Sequence, residues 1–165
     1  ASTNEAEHAG LDFGDQLVID PTKDPVFEIR CKVSAPLPSN VEAFFGLISA
    51  HNDTLDSVVS HASFRLVGDG SNLDIFVEGD DGTTDTDDQD SGIDYEADTY
   101  ATYVIDMTDL TQVRFSVNGV DAGSVDVSAL TASNKLQPAF GILKSSGTDT
   151  TSLTVDYFGY VCDRA

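Results

Sequence analysis

Apolar and polar residues alternate along most of this chain, as is typical of β-strands that bury one face. The clearest stretch is Val113–Val127, in which spaced apolar residues are followed by Asn118-Gly119. Asn-Gly favours a tight primed turn, because both central positions need positive φ. The stretch therefore predicts a β-hairpin. Its return strand is expected over Ala122–Val127, with a longer, bulged turn at Asp121 and Gly123 as the alternative.

The same pattern predicts strands throughout the rest of the chain. They are expected at Leu17–Ile19, Val26–Val33, Val41–Ser49, Ser63–Val67, Leu73–Glu78, Tyr100–Ile105, Leu136–Leu143 and Leu153–Val161. Val41–Ser49 is continuously apolar, which indicates a central strand covered on both faces. Helical turns are predicted only at His51–His61 and Met107–Leu110. Roughly ten short strands without a long amphipathic helix predict an all-β fold, a two-sheet antiparallel β-sandwich.

The length of 165 residues fits one domain with a real core. Residues 1–14 are polar and punctuated by glycine, so a flexible or partner-docked N-terminal arm is expected there. Residues 15–165 are expected to form a single sandwich domain.

The chain is strongly acidic, with a formal net charge of -21 at pH 7. Such a chain repels phosphates, which argues against binding to nucleic acid or to an anionic membrane surface. No apolar run approaches the ~20 residues of a membrane span. The acidity comes mainly from aspartate, which suggests a saline setting or simply a surface kept soluble by charge.

The two cysteines, Cys31 and Cys162, are too few for a disulfide scaffold. They lie near opposite ends of the chain, on strands that are able to be neighbours. Free, partly buried thiols are expected, with a bridge as the alternative.

Several stretches resemble the concanavalin A-like, or laminin-G-like, jelly roll. They are VRFSVNG at Val113–Gly119, LQPAFGIL at Leu136–Leu143 and LTVDYFGYV at Leu153–Val161, with FEIRCKV, FFGLI and SFRLVGDG upstream. The chain is similar in particular to the versions carried by virion proteins of tailed phages. The resemblance implies a capsid decoration, or cement, protein on the outer surface of the virion, made in the host cytoplasm. It implies the major capsid protein as partner and a homo-oligomer, with a trimer favoured.

The resemblance does not extend to catalysis, so the chain is expected not to be an enzyme. Glucanases of this fold carry an E-x-D-x-E strand with paired carboxylates. The nearest match, Asp94, Glu96 and Asp98, has the alternation but the wrong residue types. Asp156 is expected to be a structural residue on the last strand. No catalytic, cofactor-binding or metal-binding residue is assigned.

The segment Gly79–Asp98 is an acidic insert without a basic residue. Clustered carboxylates on a loop suit Ca²⁺, but the spacing from Asp85 to Asp90 fits no EF-hand loop. A solvated surface loop is the expected structure, with a Ca²⁺ site as the alternative. The three histidines are dispersed, and no cysteine stands at zinc-ligand spacing from them; they are His8, His51 and His61.

Carbohydrate binding is the alternative function, because lectins share the jelly-roll fold. Tyr95 and Tyr100 flank the acidic insert, and exposed tyrosine rings stack on sugars. Tyr103, Tyr157 and Tyr160 are expected to line walls or interfaces instead. The alternative is therefore a lectin-like receptor-binding or adhesion module that uses loops at one end of the sandwich, with or without Ca²⁺.

Overall fold

The computed structural model describes residues 6–52, 57–69 and 73–163, and these form eleven strands in two antiparallel sheets. The strands are β1 Glu7–Leu11, β2 Val26–Val33, β3 Val41–Ile48, β4 His61–Leu66, β5 Asp74–Asp80, β6 Asp85–Asp94, β7 Ala101–Asp106, β8 Val113–Val117, β9 Val120–Val125, β10 Gln137–Lys144 and β11 Leu153–Val161. The six-stranded sheet has the order β1-β10-β3-β4-β5-β6, and the five-stranded sheet has the order β11-β2-β7-β8-β9. The predicted all-β sandwich is confirmed. No helix in the described ranges is long and apolar enough to cross a membrane.

The core between the sheets is built around aromatic rings from both layers. Tyr103 of the five-stranded sheet meets Phe45 and Phe64 of the six-stranded sheet edge-on, with ring centroids 4.6 and 5.2 Å apart. Phe64 also meets Phe115 edge-on at 5.1 Å. All four side chains are buried, and edge-to-face pairing adds to what burial alone contributes. These rings therefore join the two layers.

The central position predicted for β3 is confirmed, because β3 is buried on both faces. Phe45 points into the core, while Phe44 points to the outside of the six-stranded sheet and is only 2% exposed. Phe44 packs there with Val58, Ala139 and other apolar side chains in a second, smaller cluster. The outside of this sheet is therefore partly apolar.

The predicted hairpin at Asn118-Gly119 is confirmed. Both turn residues have positive φ, 51° at Asn118 and 79° at Gly119, as a primed turn requires. The return strand begins at Val120, directly after the turn. The pairing of β8 with β9 shifts after Phe115, and Gly123 near this irregularity has φ 108°, so the turn and a bulge occur together.

Two polar segments form strands that the sequence pattern did not predict. Residues 7–11, within the predicted arm, form β1 and pair with β10. Residues 85–94, within the predicted acidic loop, form β6 and pair with β5. Both lie at the edges of the six-stranded sheet, where one side of a strand stays in water and polar side chains are tolerated. The loop prediction for Gly79–Asp98 was therefore wrong over β6.

Two short predictions were wrong, and a third is only partly tested. The strand expected at Leu17–Ile19 is reduced to a single bridge between Ile19 and Leu136. Met107–Leu110 forms a bend and turn without a helix. The helical turn expected at His51–His61 falls partly on residues 53–56, which lie outside the described residues.

The last strand, β11, contains an irregularity at Asp156. Val155 lies opposite Cys31 and Tyr157 lies opposite Arg30, so Asp156 is bulged out. Asp156 forms an exposed ion pair with Arg30, as befits a structural surface residue. Because adjacent positions of β2 face opposite ways, the bulge also places Val155 and Tyr157 on opposite faces. The strict alternation predicted across this strand was wrong there.

Both cysteines are free, and they lie far apart. Cys31 is on β2 opposite Val155, whereas Cys162 follows Val161, which lies opposite Val26. The five steps of β2 from Val26 to Cys31 span roughly 16 Å. A disulfide bond is therefore not possible in this fold, because its Cα atoms must lie within about 7 Å.

The two thiols are expected to differ sharply in reactivity. Burial raises the pKa of Cys31 to about 12, whereas Cys162 is exposed. Because the thiolate is the reactive form, a thiol reagent at neutral pH should titrate one group per native chain and two after denaturation. Replacing Cys162 with serine should abolish the native signal. A native signal that persisted in this variant would contradict the burial of Cys31.

Candidate functional site

The outer face of the six-stranded sheet carries two hollows that meet at His8. The first, of about 680 Å³, lies where β3 begins and β4 ends, and it is lined by Glu42, Arg65 and Leu143 among others. The second, of about 410 Å³, is lined by His8, Phe44 and other residues. The two hollows adjoin at His8, and together we call them the outer-face groove.

The floor of the outer-face groove is formed where glycine leaves room for an aromatic ring. Gly141 of β10 lies opposite Phe44 of β3. A Cβ atom added at Gly141 would lie 2.9 Å from Cε1 of Phe44 and 3.0 Å from Cα of Gly10. Any larger residue at Gly141 would displace this ring, so the glycine shapes the apolar floor.

One rim of the groove is made by two stacked histidines. The rings of His8 and His51 are nearly parallel, with centroids 4.7 Å apart. Nδ1 of His51 lies 3.7 Å from a carboxylate oxygen of Asp12. The backbone N–H of His51 donates to Asp15 at 2.9 Å. This hydrogen bond is the leading reason why the pKa of Asp15 lies below its usual value.

Near the stacked pair lies the amide of Gln137, which is fully buried. Its Nε2 donates to Asp15 at 3.0 Å and to the carbonyl of Ser49 at 3.2 Å. Its Oε1 accepts from the backbone N–H groups of Phe13 and Asp15. Gln137 thereby ties the segment after β1 to the segment after β3, and the second of these segments carries His51.

The charged centre of the outer face is Arg65 on β4. Nε of Arg65 donates to Glu78 at 2.7 Å, and Nη1 donates to Glu42 at 2.9 Å. Nη2 contacts the carboxylate of Asp88. The side chain of Arg65 is 20% exposed and that of Glu78 is 8% exposed. Burial raises the pKa of Glu78, and the nearby Arg65 partly offsets this rise.

Next to this centre lies a buried histidine, His61, opposite Asp80 of β5. Nδ1 of His61 lies 2.8 Å from the carbonyl of Val58; because a carbonyl only accepts, Nδ1 carries the proton. Burial and the neighbouring Asp87 and Asp80 raise the pKa of Asp85 across the strand pair. Within the described ranges, no group of three or more histidine, cysteine or acidic side chains is placed to hold a metal ion.

The structure places the two tyrosines predicted to bind sugar elsewhere. Tyr95 is 4% exposed, and its hydroxyl accepts from the backbone N–H of Leu37 at 2.9 Å. The ring of Tyr100 packs against two cations of the five-stranded sheet. Cζ of Arg30 lies 4.5 Å and Nζ of Lys32 lies 5.1 Å from the ring centroid. Neither ring lines the groove. Tyr95 is too buried to stack on a sugar, whereas sugar stacking by the half-buried Tyr100 stays a prediction.

The other predicted residues also lie away from the groove, with two exceptions. Tyr103 is a core residue, whereas Tyr157 and Tyr160 are 44% and 37% exposed on β11. Asp94 ends β6, and Asp98 lies beyond it in an ion pair with Lys32. The exceptions are His8 and His51, which sequence spacing left dispersed and which the fold stacks together.

The groove residues Glu42 and Arg65, and Glu78 beside them, were missed at the sequence level. Glu42 is a charged residue within the otherwise apolar strand β3. Its charge on a predicted central strand is the signal that was available, since charged side chains are rarely buried unless they are paired.

Comparison with known proteins by sequence finds nothing: no family model matches the chain, and no curated protein matches it. Comparison by structure finds 159 matching chains. The carbohydrate recognition domain of Emp47p matches with a TM-score of 0.64 at 10% identity, covering 98% of this chain and 81% of that one.

Enzymes also occur among the similar structures. An alginate lyase from Pseudomonas aeruginosa matches with a TM-score of 0.60 at 11% identity, over 87% of this chain and 66% of that chain. A GH16 protein of the Bacteroides ovatus mixed linkage glucan PUL matches with a TM-score of 0.53 at 10% identity, over 84% and 70%. At these identities the matches establish the fold alone.

These neighbours correct the expectation that the chain is not an enzyme. That expectation, which rested on the missing E-x-D-x-E strand, was wrong, because alginate lyases and GH16 glycosidases share this fold with lectins. The neighbours described here are carbohydrate-binding or polysaccharide-active proteins. None of these comparisons supports the resemblance to phage decoration proteins.

Proposed function

We propose that this chain, which has the concanavalin A-like jelly-roll fold, binds carbohydrate in the outer-face groove. The observation that carries the proposal is the position of the groove. It consists of two adjoining hollows on the outer face of a sheet, lined by both apolar and polar side chains, in a fold shared with a carbohydrate recognition domain and polysaccharide-active proteins.

The lining of the groove suits the two-sided chemistry of a sugar ring. A sugar presents C–H groups on its faces and hydroxyl groups around its edge, so a complementary site needs apolar surface beside a few fixed polar groups. Leu143, which is half-buried, supplies apolar surface in the larger hollow, and Phe44 lies under the smaller one with 2% exposure. Glu42 and Asp12 supply carboxylates that accept from hydroxyl groups. Two adjoining hollows of about 680 and 410 Å³ leave room for more than one sugar ring.

The capsid decoration hypothesis is less well supported than carbohydrate binding. It came from short structural motifs, and the structural neighbours favour the alternative. Attachment to a major capsid protein, a homotrimer and a place on the virion surface stay predictions. Ca²⁺ binding at the acidic segment stays a prediction too, and a chelator-dependent melting temperature would support it.

The proposal is tested by blocking the groove. Ser39 is exposed and lines the larger hollow, so Ser39→Trp should fill it and weaken glycan binding by about ten-fold or more, as expected for a lost pocket. Binding is measured on a glycan array and by calorimetry with the best array ligand. Release of new chain ends from that ligand is assayed in parallel and tests turnover.

A matched control is Ser128→Trp, which adds the same ring in the exposed segment after β9 and lines neither hollow. It should bind as the wild type does. Equal binding by both variants would show that the ligand sits elsewhere. An array without any binding would contradict the proposal itself.

A further inference from the structure

The cations of the outer-face groove are already neutralised by carboxylates of the same chain. In the described part of the chain, the arginine and lysine side chains that line the larger hollow are Arg65 and Lys144. Lys144 is 5% exposed and lies 2.9 Å from the carboxylate of Glu7. Arg65 contacts three carboxylates, those of Glu42, Glu78 and Asp88. Both cations are therefore already paired with carboxylates where they line the groove.

The carboxylates around these cations are more accessible than the cations are. The side chain of Glu42 is 29% exposed and that of Asp88 is 63% exposed, against 20% for Arg65. Glu7 is 52% exposed, against 5% for Lys144. A ligand entering the larger hollow therefore meets carboxylate oxygens first. The net charge of -21 adds a long-range repulsion for any anion.

We infer that the groove selects a glycan without acidic groups, and this inference rests on the proposed function. Sugar hydroxyls donate hydrogen bonds, and ionised carboxylates accept them more strongly than neutral groups do. A uronate or a sulfated sugar would instead bring a negative charge next to Glu42 and Asp88, where the lysine and arginine of the described lining are already paired with carboxylates. The ligand class is a neutral polysaccharide, and an amine-bearing one satisfies the same carboxylates.

The inference sets this chain apart from some of its structural neighbours. The alginate lyase AlyC3 was also solved with dimannuronate, a uronate, and it matches this chain at 10% identity with a TM-score of 0.64. The fold therefore accommodates acidic sugars, whereas the charges on this groove disfavour them. The preference of the groove for neutral over acidic ligands therefore comes from its side chains and not from the fold.

The test compares ligands of different charge on the intact chain. Neutral β-glucan and mannan, amine-bearing chitosan and acidic alginate are titrated at roughly 0.15 and 1 M NaCl, where the screening lengths are about 8 and 3 Å. We expect a neutral glycan to bind at least about ten-fold more tightly than alginate at the lower salt, and to lose little at the higher salt. If chitosan binding vanishes at high salt, the binding reflects attraction of the amines to the net negative charge of the chain, and it does not support binding in the groove.

A charge-matched pair of variants separates the groove from the net charge. Glu42→Gln with Asp88→Asn removes two partners of Arg65 and should let alginate bind at least about five-fold more tightly, because the guanidinium becomes available to a carboxylate. Asp121→Asn with Asp126→Asn makes the same change in net charge at exposed positions outside both hollows. This control should leave alginate binding unchanged.

Each result decides one part of the inference. Alginate binding by the wild type as tight as that of a neutral glycan would overturn it. Equal gains in both double variants would assign the selection to net charge and overturn the role of Arg65 and its partners. Failure of every glycan, whatever its charge, would overturn the proposed function, which is a different result from binding of the wrong class.

Discussion

Replacing Phe64 with alanine is expected to lower the free energy of unfolding by about 3–5 kcal/mol. Phe64 is fully buried, and its ring meets Phe45, Tyr103 and Phe115, which come from both sheets. Close-packed neighbours relax only partly around a lost ring, so a cavity would remain between the layers. Urea unfolding followed by circular dichroism or tyrosine fluorescence measures the change.

The matched control for this prediction is Phe13→Ala. Phe13 is 37% exposed, and its ring has Phe158 as a neighbour at 6.4 Å, so its loss should cost about 1 kcal/mol or less. Equal losses in the two variants would mean that the aromatic cluster does not hold the layers together.

Replacing Arg65 with alanine is expected to cost about 3–5 kcal/mol at neutral pH, because a charged group would be left buried without its partner. Glu78 has a side chain that is 8% exposed and receives a hydrogen bond from Arg65. Without the guanidinium, Glu78 would lie near Glu42 with no cation between them. Chemical unfolding of the variant against the wild type gives the difference.

The loss in the Arg65 variant should also depend on pH. The pKa of Glu78 already lies above its ordinary value of 4.5, mainly through burial, and loss of Arg65 should raise it further. A raised pKa in the folded state means that the folded chain holds the proton more tightly, so stability falls as pH rises through this window. The destabilisation should therefore be smaller near about pH 5 than near about pH 8.

The control for charge alone is Arg114→Ala, which removes an exposed arginine from β8. It should change stability by about 0.5 kcal/mol or less at either pH. An Arg65 variant that lost the same stability at both pH values would show that Glu78 is not the group left without compensation.

Much of the sandwich was predictable because burial on one face imposes an alternation that survives in the sequence. β2 and β11 were predicted with their observed bounds, and the Asn118-Gly119 turn was predicted from its chemistry alone. β6 was not predictable in this way, because aspartate is depleted in strands. An edge position tolerates it, and position within a sheet is not a local property.

The groove was less predictable than the fold for the same reason. Glu42, Arg65 and Glu78 are separated in the sequence and meet because β3, β4 and β5 lie side by side in one register. Aromatic residue type was a poor guide, since Tyr95 has a buried hydroxyl bonded to Leu37. Residue type indicates what a side chain is able to bind, whereas register decides whether it faces the groove.

The edge strand β6 also bears on how copies of this chain meet one another. Five aspartates lie within its ten residues, at Asp85, Asp87, Asp88, Asp90 and Asp94. Aligning a second β6 against the first would bring two rows of like charge together, and charged edges prevent such additions. At the margin of the other sheet, β11 carries exposed tyrosines and Val161 instead. The aspartates of β6 thus disfavour the edge-to-edge pairing of copies that leads to fibres. Any extension of a sheet by another strand is expected at one of the other edges.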